Sequence, residues 1–170
     1  MTSTPYEALP LIELMAEQLK VYLSDKNISQ YSIIGIRTGG VWVAEQLRER
    51  LNSDEQLGEL NISFYRDDFT RKGLHPTVTP THLPFPTENT HIILVDDILM
   101  TGRTIRASLN ELFDFGRPAS VTLAVLADVG KRELPISANI VGKSIDLLPN
   151  ERLKLEGPMP MKLVRHQKQA

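Results

Sequence analysis

Residues 91–104, HIILVDDILMTGRT, decide the fold of this chain. Their apolar run, residues 92–95, is typical of strands that helices cover on both faces, as in parallel sheets. Asp96 and Asp97 follow this run. We therefore expect them at the carboxyl end of the strand, where open α/β sheets bind ligands. Because side chains alternate along a strand, we expect one acid to meet the ligand first.

The segment after the two acids has the composition of an anion-binding turn. Met100 precedes four residues that supply two hydroxyls, a glycine for close backbone approach and the start of a predicted helix, namely Thr101, Gly102, Arg103 and Thr104. No Gly-x-x-x-x-Gly-Lys-Ser/Thr loop precedes the helix, so this is not a Walker A turn. Carboxylates beside such a turn suit a ribose phosphate, whose hydroxyls donate to the acids while its 5′-phosphate binds the turn.

An Asp-Asp pair after an apolar strand has a second interpretation. In receiver-type and hydrolase folds such acids bind magnesium, and the pair alone leaves both interpretations open. The segment 69–89 favours a phosphoribosyl site, because it contains four prolines and no regular period. Insertions of this length in compact domains are commonly lids or binding loops.

Length and composition indicate one domain spanning residues 1–170, with 41% hydrophobic residues for a single core. The chain has no cysteine, which excludes disulfides, thiolate metal sites and cysteine nucleophiles. No signal peptide or membrane-span pattern is present, so we expect a soluble, cytoplasmic protein. The net charge is −2, from 19 basic and 21 acidic residues, and gives no support for a nucleic-acid partner.

Hydrophobic periodicity predicts alternating strands and helices along the chain. In order, the predicted elements are a helix over 8–23, a strand over 31–36, a helix over 41–51, a strand over 60–65, the strand and helix of the opening stretch, and a strand over 121–127. This alternation predicts an α/β fold with a mostly parallel sheet flanked by helices. The tail 150–170 mixes basic and acidic residues, and we expect it to be solvated and disordered.

Several stretches together resemble one family. IILVDDILMTGRT is similar to the phosphoribosyl-pyrophosphate (PRPP) motif of type I phosphoribosyltransferases. The order and spacing of four further segments resemble the pyrimidine operon regulator and uracil phosphoribosyltransferase family, PyrR: GIRTGG (35–40), YRDD (65–68), GRPAS (116–120) and LADVGKRELPI (126–136). The resemblance covers about residues 5–145. It implies a type I phosphoribosyltransferase fold with a flexible lid over 69–89 and a small hood over 128–145.

The resemblance implies that uracil and PRPP react to give UMP and pyrophosphate, with Mg²⁺ as the cofactor. Asp96 and Asp97 would hold the magnesium ion, directly or through water. They would be catalytic together with Arg37 and Arg66. The implied PRPP- and nucleotide-binding residues are Thr38, Gly39, Asp96, Asp97, Ile98, Leu99, Met100, Thr101, Gly102, Arg103 and Thr104. The resemblance also places the unusual backbone geometry of the pyrophosphate loop at the Thr38–Gly39 peptide. For Arg37 and Arg66 an ordinary salt bridge is an equal alternative.

The acceptor base is predicted from a departure inside the motif. Enzymes for hypoxanthine and guanine usually have an aspartate where this chain has Met100, whose thioether cannot exchange a proton with a purine nitrogen. This argues against 6-oxopurines and leaves pyrimidines and adenine open. The resemblance assigns the base to hood residues Asp128, Val129, Gly130, Lys131 and Arg132, and lid closure to Arg71 and Lys72. Many relatives have arginine in place of Gly39 and of Val129.

A regulatory activity is also implied by the resemblance, namely uridine-nucleotide-dependent binding of the pyrimidine (pyr) operon leader RNA. Glu13 and Glu17 on the first helix oppose this, because carboxylates repel phosphates. Two alternatives stay open: a phosphoribosyltransferase that does not bind RNA, and a nucleotide sensor with little turnover. The expected partners are PRPP, uracil, UMP and a second copy of the chain in a homodimer or higher homo-oligomer, to which Trp42 contributes a contact.

Overall fold

A computed structural model describes residues 3–62 and 80–169 of the chain. The described helices are α1 (Ala8–Asp25), α2 (Gly39–Arg50) and α3 (Arg103–Phe113). The described strands are β1 (Tyr6–Glu7), β2 (Ser32–Ile36), β3 (Gly58–Leu60), β4 (His91–Leu99), β5 (Ser120–Asp128), β6 (Ile140–Ser144), β7 (Glu151–Glu156) and β8 (Lys162–Gln167).

Five strands form the main sheet in the order β3-β2-β4-β5-β6, and all neighbouring strands are parallel. The apolar strand of the opening stretch lies at its centre, as the run of buried residues 92–95 requires. The predicted α/β fold with a mostly parallel sheet is therefore confirmed. Residues 140–144 of the predicted hood are the fifth strand of this sheet, which shortens the hood at its C-terminal end.

Alternation along β4 divides its side chains between two cores. Ile93 and Val95 face a cluster built with α1 and α2, whereas Ile92 and Leu94 face a second cluster built with α3. Helix α1 buries one face in the first cluster, including Ile12, Met15 and Leu19, whereas Leu14 is 52% exposed. No helix among the described residues combines the length and the apolarity that a membrane crossing requires.

The tail predicted to be disordered is instead a hairpin in a second sheet, of order β1-β8-β7 and antiparallel throughout. Leu155 and Leu163 pair across the hairpin and are buried in the first cluster. The turn of the hairpin reaches α2, because Gly157 lies against the ring of Trp42. The tail is ordered because one face of the hairpin buries apolar side chains in the first cluster, while the other face carries exposed charged residues such as Arg152 and Lys154.

The last ten residues of the predicted lid also pack against the domain. Leu83 and Phe85 lie against the second cluster and approach Gly58 of β3. The backbones of His82 and Glu59 exchange two hydrogen bonds of 2.8 Å each. The predicted lid therefore ends before this segment. Residues 69–79, with Arg71 and Lys72, lie outside the described residues, as does the end of the strand predicted over 60–65.

Candidate active site

Strand β4 includes both acids, but its pairing with β2 ends just before them. The last β2–β4 register pair is Gly35 with Val95, whereas Asp96 still pairs with Val125 of β5. The backbone N–H of Asp97 donates to Asp96 Oδ1 at 2.9 Å, and the N–H of Ile98 donates to Asp97 Oδ1 at 2.7 Å. Asp96 is buried and Asp97 is half-buried. The adjacent carboxylates therefore differ in exposure, as alternation predicts.

The loop after β2 passes close to these acids because it has no side chains there. A Cβ at Gly40 would lie 2.6 Å from the Val95 carbonyl oxygen and 3.1 Å from Asp96 Cα. A Cβ at Gly39 would overlap the Asp97 carboxylate. Helix α2 begins at Gly39, so its N-terminus lies beside the acids. The non-proline cis peptide joins residues 37 and 38, one bond before the peptide that the resemblance had indicated.

Arg37 lies in this loop and is tied to the neighbouring strand. Its guanidinium forms a salt bridge with Glu59 of β3, and its backbone N–H donates to the Leu60 carbonyl at 2.9 Å. Both charged side chains are partly exposed, so this pair resembles the ordinary salt bridge weighed for Arg37 from the sequence. Arg66 lies outside the described residues.

The predicted anion-binding turn has the backbone that its glycine requires. Gly102 has φ +93° and is the N-cap of α3, which begins at Arg103. The Arg103 N–H donates to Thr101 Oγ1 at 3.2 Å. Met100, just before the turn, is 46% exposed. Because the first N–H groups of a helix have no intrahelical partners, this turn suits a bound phosphate.

A loop over 129–136 covers the turn and is bonded to it. The Thr101 carbonyl accepts N–H groups from Glu133 at 2.9 Å and from Leu134 at 3.1 Å. The Glu133 carboxylate accepts from Arg103 Nε at 2.8 Å, although both side chains are more than half exposed. The side chain of Arg103 is therefore directed to this loop.

Asp128 and Arg132, both assigned to the base, bind each other. Two guanidinium nitrogens donate to the two carboxylate oxygens at 2.9 and 2.7 Å. The pKa of Asp128 is lowered, chiefly by the hydrogen bond from Arg132. The same guanidinium donates to the Met100 carbonyl at 2.9 Å and to the Ile136 carbonyl at 2.6 Å. These two side chains therefore join the loop over 129–136 to the turn.

The other three predicted base-binding residues differ in burial and in their backbone hydrogen bonds. The side chain of Val129 is buried in the first cluster, and its N–H donates to the Leu99 carbonyl at 3.0 Å. Gly130 has φ +69°, and its N–H donates to Asp128 Oδ1 at 2.9 Å. Lys131 is exposed. A base at this loop would therefore meet backbone and exposed groups rather than the Val129 side chain.

The structure thus brings two loops and a pair of acids together at the carboxyl end of the main sheet. Sequence reasoning missed Glu59, Glu133 and Ile136, which hold predicted site residues in place. Glu59 and Glu133 lie far in sequence from their partners Arg37 and Arg103, and Ile136 binds Arg132 through its backbone carbonyl, so no local side-chain pattern marks these residues. Such partners become visible only once the chain is folded.

The two acids suit a magnesium ion that also binds water and substrate, rather than a metal ion held by protein ligands alone. Within residues 3–62 and 80–169 no group of three or more His, Cys, Asp or Glu side chains could hold a metal ion. Mg²⁺ commonly binds one or two carboxylates and completes its shell with water and substrate phosphates. Asp96 and Asp97 fit that role. His91 begins β4, at the opposite end of the strand from the two acids, and its Nδ1 lies 2.7 Å from Ser120 Oγ.

Residues 4–151 match the family described as "Phosphoribosyl transferase domain". Similar curated relatives bear the name "Bifunctional protein PyrR". The protein of Pseudomonas syringae pv. tomato is 58% identical over 153 residues, covering 90% of each chain. That of Pseudomonas aeruginosa is 54% identical over 161 residues, covering 95% of this chain and 93% of the relative. The chain belongs to the PyrR family. The family resemblance and the phosphoribosyltransferase activity predicted from the sequence are confirmed.

Solved structures with this fold include the hypoxanthine phosphoribosyltransferase of Trypanosoma cruzi, with a TM-score of 0.69 at 20% identity over 96% of this chain and 93% of that one. The Staphylococcus aureus hypoxanthine enzyme has a TM-score of 0.65 at 21% identity, over 89% of this chain and 81% of that one. At this identity the likeness concerns the fold alone. It supports the type I phosphoribosyltransferase architecture of this PyrR-family chain.

Proposed function

We propose that this chain transfers the phosphoribosyl group of PRPP to uracil, forming UMP and pyrophosphate, and that it binds a pyr operon leader RNA when a uridine nucleotide is bound. The observation that supports the reaction is the placement of two helix N-termini, at Gly39 and Arg103, on either side of Asp96 and Asp97. Helix N-termini attract phosphates, and PRPP carries phosphate groups at both ends of one ribose.

In this proposal each end of PRPP has its own loop. The 5′-phosphate binds the turn 101–104, where backbone N–H groups and the Thr101 and Thr104 hydroxyls donate hydrogen bonds. Pyrophosphate binds Thr38 and Gly39 at the start of α2, with Arg37 beside it. The ribose hydroxyls donate to Asp97, the more exposed of the acids. Binding at both ends holds the anomeric carbon at a fixed place, which lowers the entropic part of the barrier.

The reaction needs no protein nucleophile. As the bond from the anomeric carbon to pyrophosphate breaks, positive charge develops on the ribosyl group and negative charge on the departing oxygen. The carboxylates of Asp96 and Asp97 stabilise the first, and the α2 N-terminus with Arg37 stabilises the second. When bound, Mg²⁺ would be held by Asp96 and Asp97 and would supply charge neutralisation for the leaving pyrophosphate. The uracil nitrogen then forms the new bond to the anomeric carbon and loses its proton.

Uracil is favoured over 6-oxopurines by the residue beside the turn. Met100 is exposed and cannot accept or donate the proton that a purine imidazole nitrogen would exchange. Gly130 and Lys131 lie on the loop that covers the turn. In this proposal the Gly130 carbonyl and the backbone groups of Lys131 hydrogen-bond the edge of the pyrimidine.

The acceptor is tested with purified protein, PRPP and Mg²⁺, with uracil, orotate, hypoxanthine and adenine offered separately. We expect PRPP-dependent UMP formation from uracil and at least about tenfold lower kcat/KM for the other bases, a difference of about 1.4 kcal/mol. Turnover of orotate or adenine without uracil would overturn the base assignment. A tightly bound uridine nucleotide with no turnover of any base would favour the nucleotide-sensing alternative.

RNA binding gains support from the charges on two surfaces. Glu13 and Glu17, which oppose phosphates, each have a cationic neighbour, Arg50 at 3.7 Å and Lys20 at 2.9 Å. The solvent face of the β7–β8 hairpin presents exposed Arg152 and Lys154. An exposed pair of cations on a sheet face suits an RNA backbone.

The RNA proposal is tested by titrating a labelled pyr leader RNA at several salt concentrations, with and without UMP. We expect UMP to tighten binding and salt to weaken it. In a double variant, Arg152→Ala with Lys154→Ala, the slope of the logarithm of the binding constant against the logarithm of the salt concentration should become less steep, by the amount expected for about two phosphate contacts. The matched control replaces Lys26 and Arg117, two exposed cations outside the hairpin, and should leave it unchanged. Absence of binding at low salt with UMP would refute the proposal.

We also propose that the chain forms a homodimer or a higher homo-oligomer. Trp42, expected from the sequence to contribute a contact, is half-buried, and its ring lies against Gly157 of the same chain. Other apolar side chains are exposed, among them Phe113 at the end of α3 and Phe115 just after it. Light scattering at several protein concentrations would give the mass, and a monomer at every concentration would contradict this proposal.

A further inference from the structure

We infer that Arg132 is a positioning residue that holds the loop over 129–136 and the phosphate-binding turn in one fixed relation, so that a nucleotide can occupy both at once. This inference rests on the proposed function, because it assigns the phosphate of UMP to the turn and its base to the loop. It concerns the side chain of Arg132, which the sequence had assigned to the base itself.

The contacts of Arg132 leave little of its donor capacity for a ligand. Of its five N–H groups, four are directed to Asp128, Met100 and Ile136, at distances between 2.6 and 2.9 Å. The Arg132 and Asp128 side chains are 24% and 20% exposed, respectively. Because the guanidinium is planar, four such bonds fix its orientation as well as its position. Arg132 therefore acts on a ligand through the groups that it holds.

Those groups belong to both halves of the nucleotide site. Asp128 ends β5 and accepts the Gly130 N–H, so it sets the start of the loop, while Ile136 lies at the loop's far end. The Met100 carbonyl belongs to the residue just before the turn. One side chain thus joins three points, the beginning of the loop, its end and the edge of the turn. Removing it leaves the two backbone bonds to the Thr101 carbonyl and the exposed Arg103–Glu133 pair.

The consequence for binding follows from preorganisation. A ligand that touches only the turn gains less from a fixed loop than a nucleotide that spans both, because the nucleotide also avoids the entropy that the loop would otherwise lose on binding. Ribose 5-phosphate and UMP form such a pair, since they share the phosphate and the ribose and differ in the base. The ratio of their dissociation constants therefore reports the relation that Arg132 maintains.

The experiment measures the dissociation constants of UMP and ribose 5-phosphate by calorimetry for the full chain and for Arg132→Lys and Arg132→Gln. Lysine keeps the charge but not the planar fork. We expect the preference for UMP over ribose 5-phosphate to fall at least about tenfold in both variants, with ribose 5-phosphate affinity changed less than about threefold. In steady-state kinetics the KM for uracil should rise more than the KM for PRPP.

Arg165→Gln provides the matched control for general destabilisation. Arg165 pairs with Glu151 at 3.2 Å in the hairpin, with similar side-chain exposures of 23% and 10%, and lies outside the proposed nucleotide site. The Arg165→Gln variant should lower the midpoint of thermal unfolding without changing the ratio of the dissociation constants of UMP and ribose 5-phosphate. If the Arg132 variants fold and retain the wild-type preference for UMP, the inference is wrong. If the wild-type chain itself shows no preference for UMP, the uracil assignment fails instead, and the ratio is then measured with the nucleotide of the base that is turned over.

Discussion

The two loops on either side of Asp96 and Asp97 are built in opposite ways. The loop at Gly39 and Gly40 keeps its shape by steric exclusion, because the acids and the β4 backbone occupy the space where side chains would lie. The turn 100–104 keeps its shape by hydrogen bonds from the loop over 129–136. The first arrangement fails abruptly when an atom is added, whereas the second weakens by degrees as bonds are removed.

This difference also separates the two halves of PRPP in the proposed function. The pyrophosphate end meets a surface fixed by the backbone of the main sheet. The 5′-phosphate end meets a turn whose position depends on a loop that also serves the acceptor base. Substitutions in the two places should therefore differ in the size of their effects and in which substrate they affect.

Gly40→Ala should have the largest effect. Its Cβ would lie 2.6 Å from the Val95 carbonyl oxygen, which is backbone at the centre of the sheet. We expect destabilisation of about 1–3 kcal/mol and at least about a hundredfold loss of kcat/KM, since small displacements of catalytic groups are costly. Gly39→Ala meets the Asp97 side chain, which can rotate, so it should lose activity with a smaller change in stability. Equal loss of stability in both would contradict the steric account; urea unfolding and steady-state assays measure these quantities.

Asp97→Asn should come next. The substitution keeps the size of the side chain but removes the charge that faces the ribose and magnesium, so we expect kcat/KM to fall by about 10²–10³ while stability changes little. Asp25→Asn, at the exposed last residue of α1, is the control. Initial rates at saturating and limiting PRPP measure the effect, and a loss below about threefold would remove Asp97 from the proposed mechanism.

Thr101→Val tests the turn itself at nearly constant volume. The hydroxyl that accepts the Arg103 N–H is lost, and such a hydrogen bond contributes about 1 kcal/mol, so we expect the KM for PRPP to rise about five- to tenfold. The control is Thr90→Val, whose hydroxyl donates to the Pro86 carbonyl at 2.7 Å at the opposite end of β4. An abrupt loss like that of Gly40→Ala would show that the turn is as intolerant as the glycine loop.

Asp128→Asn should give the smallest effect, seen as a change in pH dependence. The pKa of Asp128 is lowered below its ordinary 3.8, so its ionised form stabilises the folded chain above that pH, and this contribution is lost as the pH falls through the folded-state pKa. The stability gap between wild type and variant should therefore be largest near neutral pH and shrink in acid. Urea unfolding at pH 7, 5 and 3 measures it, and a constant gap would mean that Asp128 ionisation contributes nothing.

The sequence predicted those features that depend on neighbouring residues. Apolar runs located the central strands, and the motif located the acids and the turn, because each pattern lies within one short segment. The interactions that hold the turn join distant segments, such as the bond from Arg132 to the Met100 carbonyl, 32 positions away. Arg132, predicted to contact the base, thus binds Asp128, Met100 and Ile136 in the folded chain.

The hairpin β7–β8 was missed for a related reason. Leu153 and Leu155 alternate with charged residues, which is the pattern of a half-buried strand, but the surrounding charges resemble a solvated tail. This strand, β7, pairs with β8, and β8 pairs in turn with β1, which lies near the start of the sequence. Arg165 and the Tyr6 hydroxyl, in contact at 3.4 Å, are 159 positions apart.

The pairing of β1 with β8 has a consequence for how the chain is made. The five strands of the main sheet have all been synthesised once residue 144 is reached, and domains can begin to fold during synthesis. The second sheet must wait for residues 162–167 to return to residues 6–7. Until then Trp42 and the first cluster lack their cover from Leu155 and Leu163, which leaves apolar surface exposed on the nascent chain. That apolar surface therefore stays exposed until β8 has been synthesised and has paired with β1.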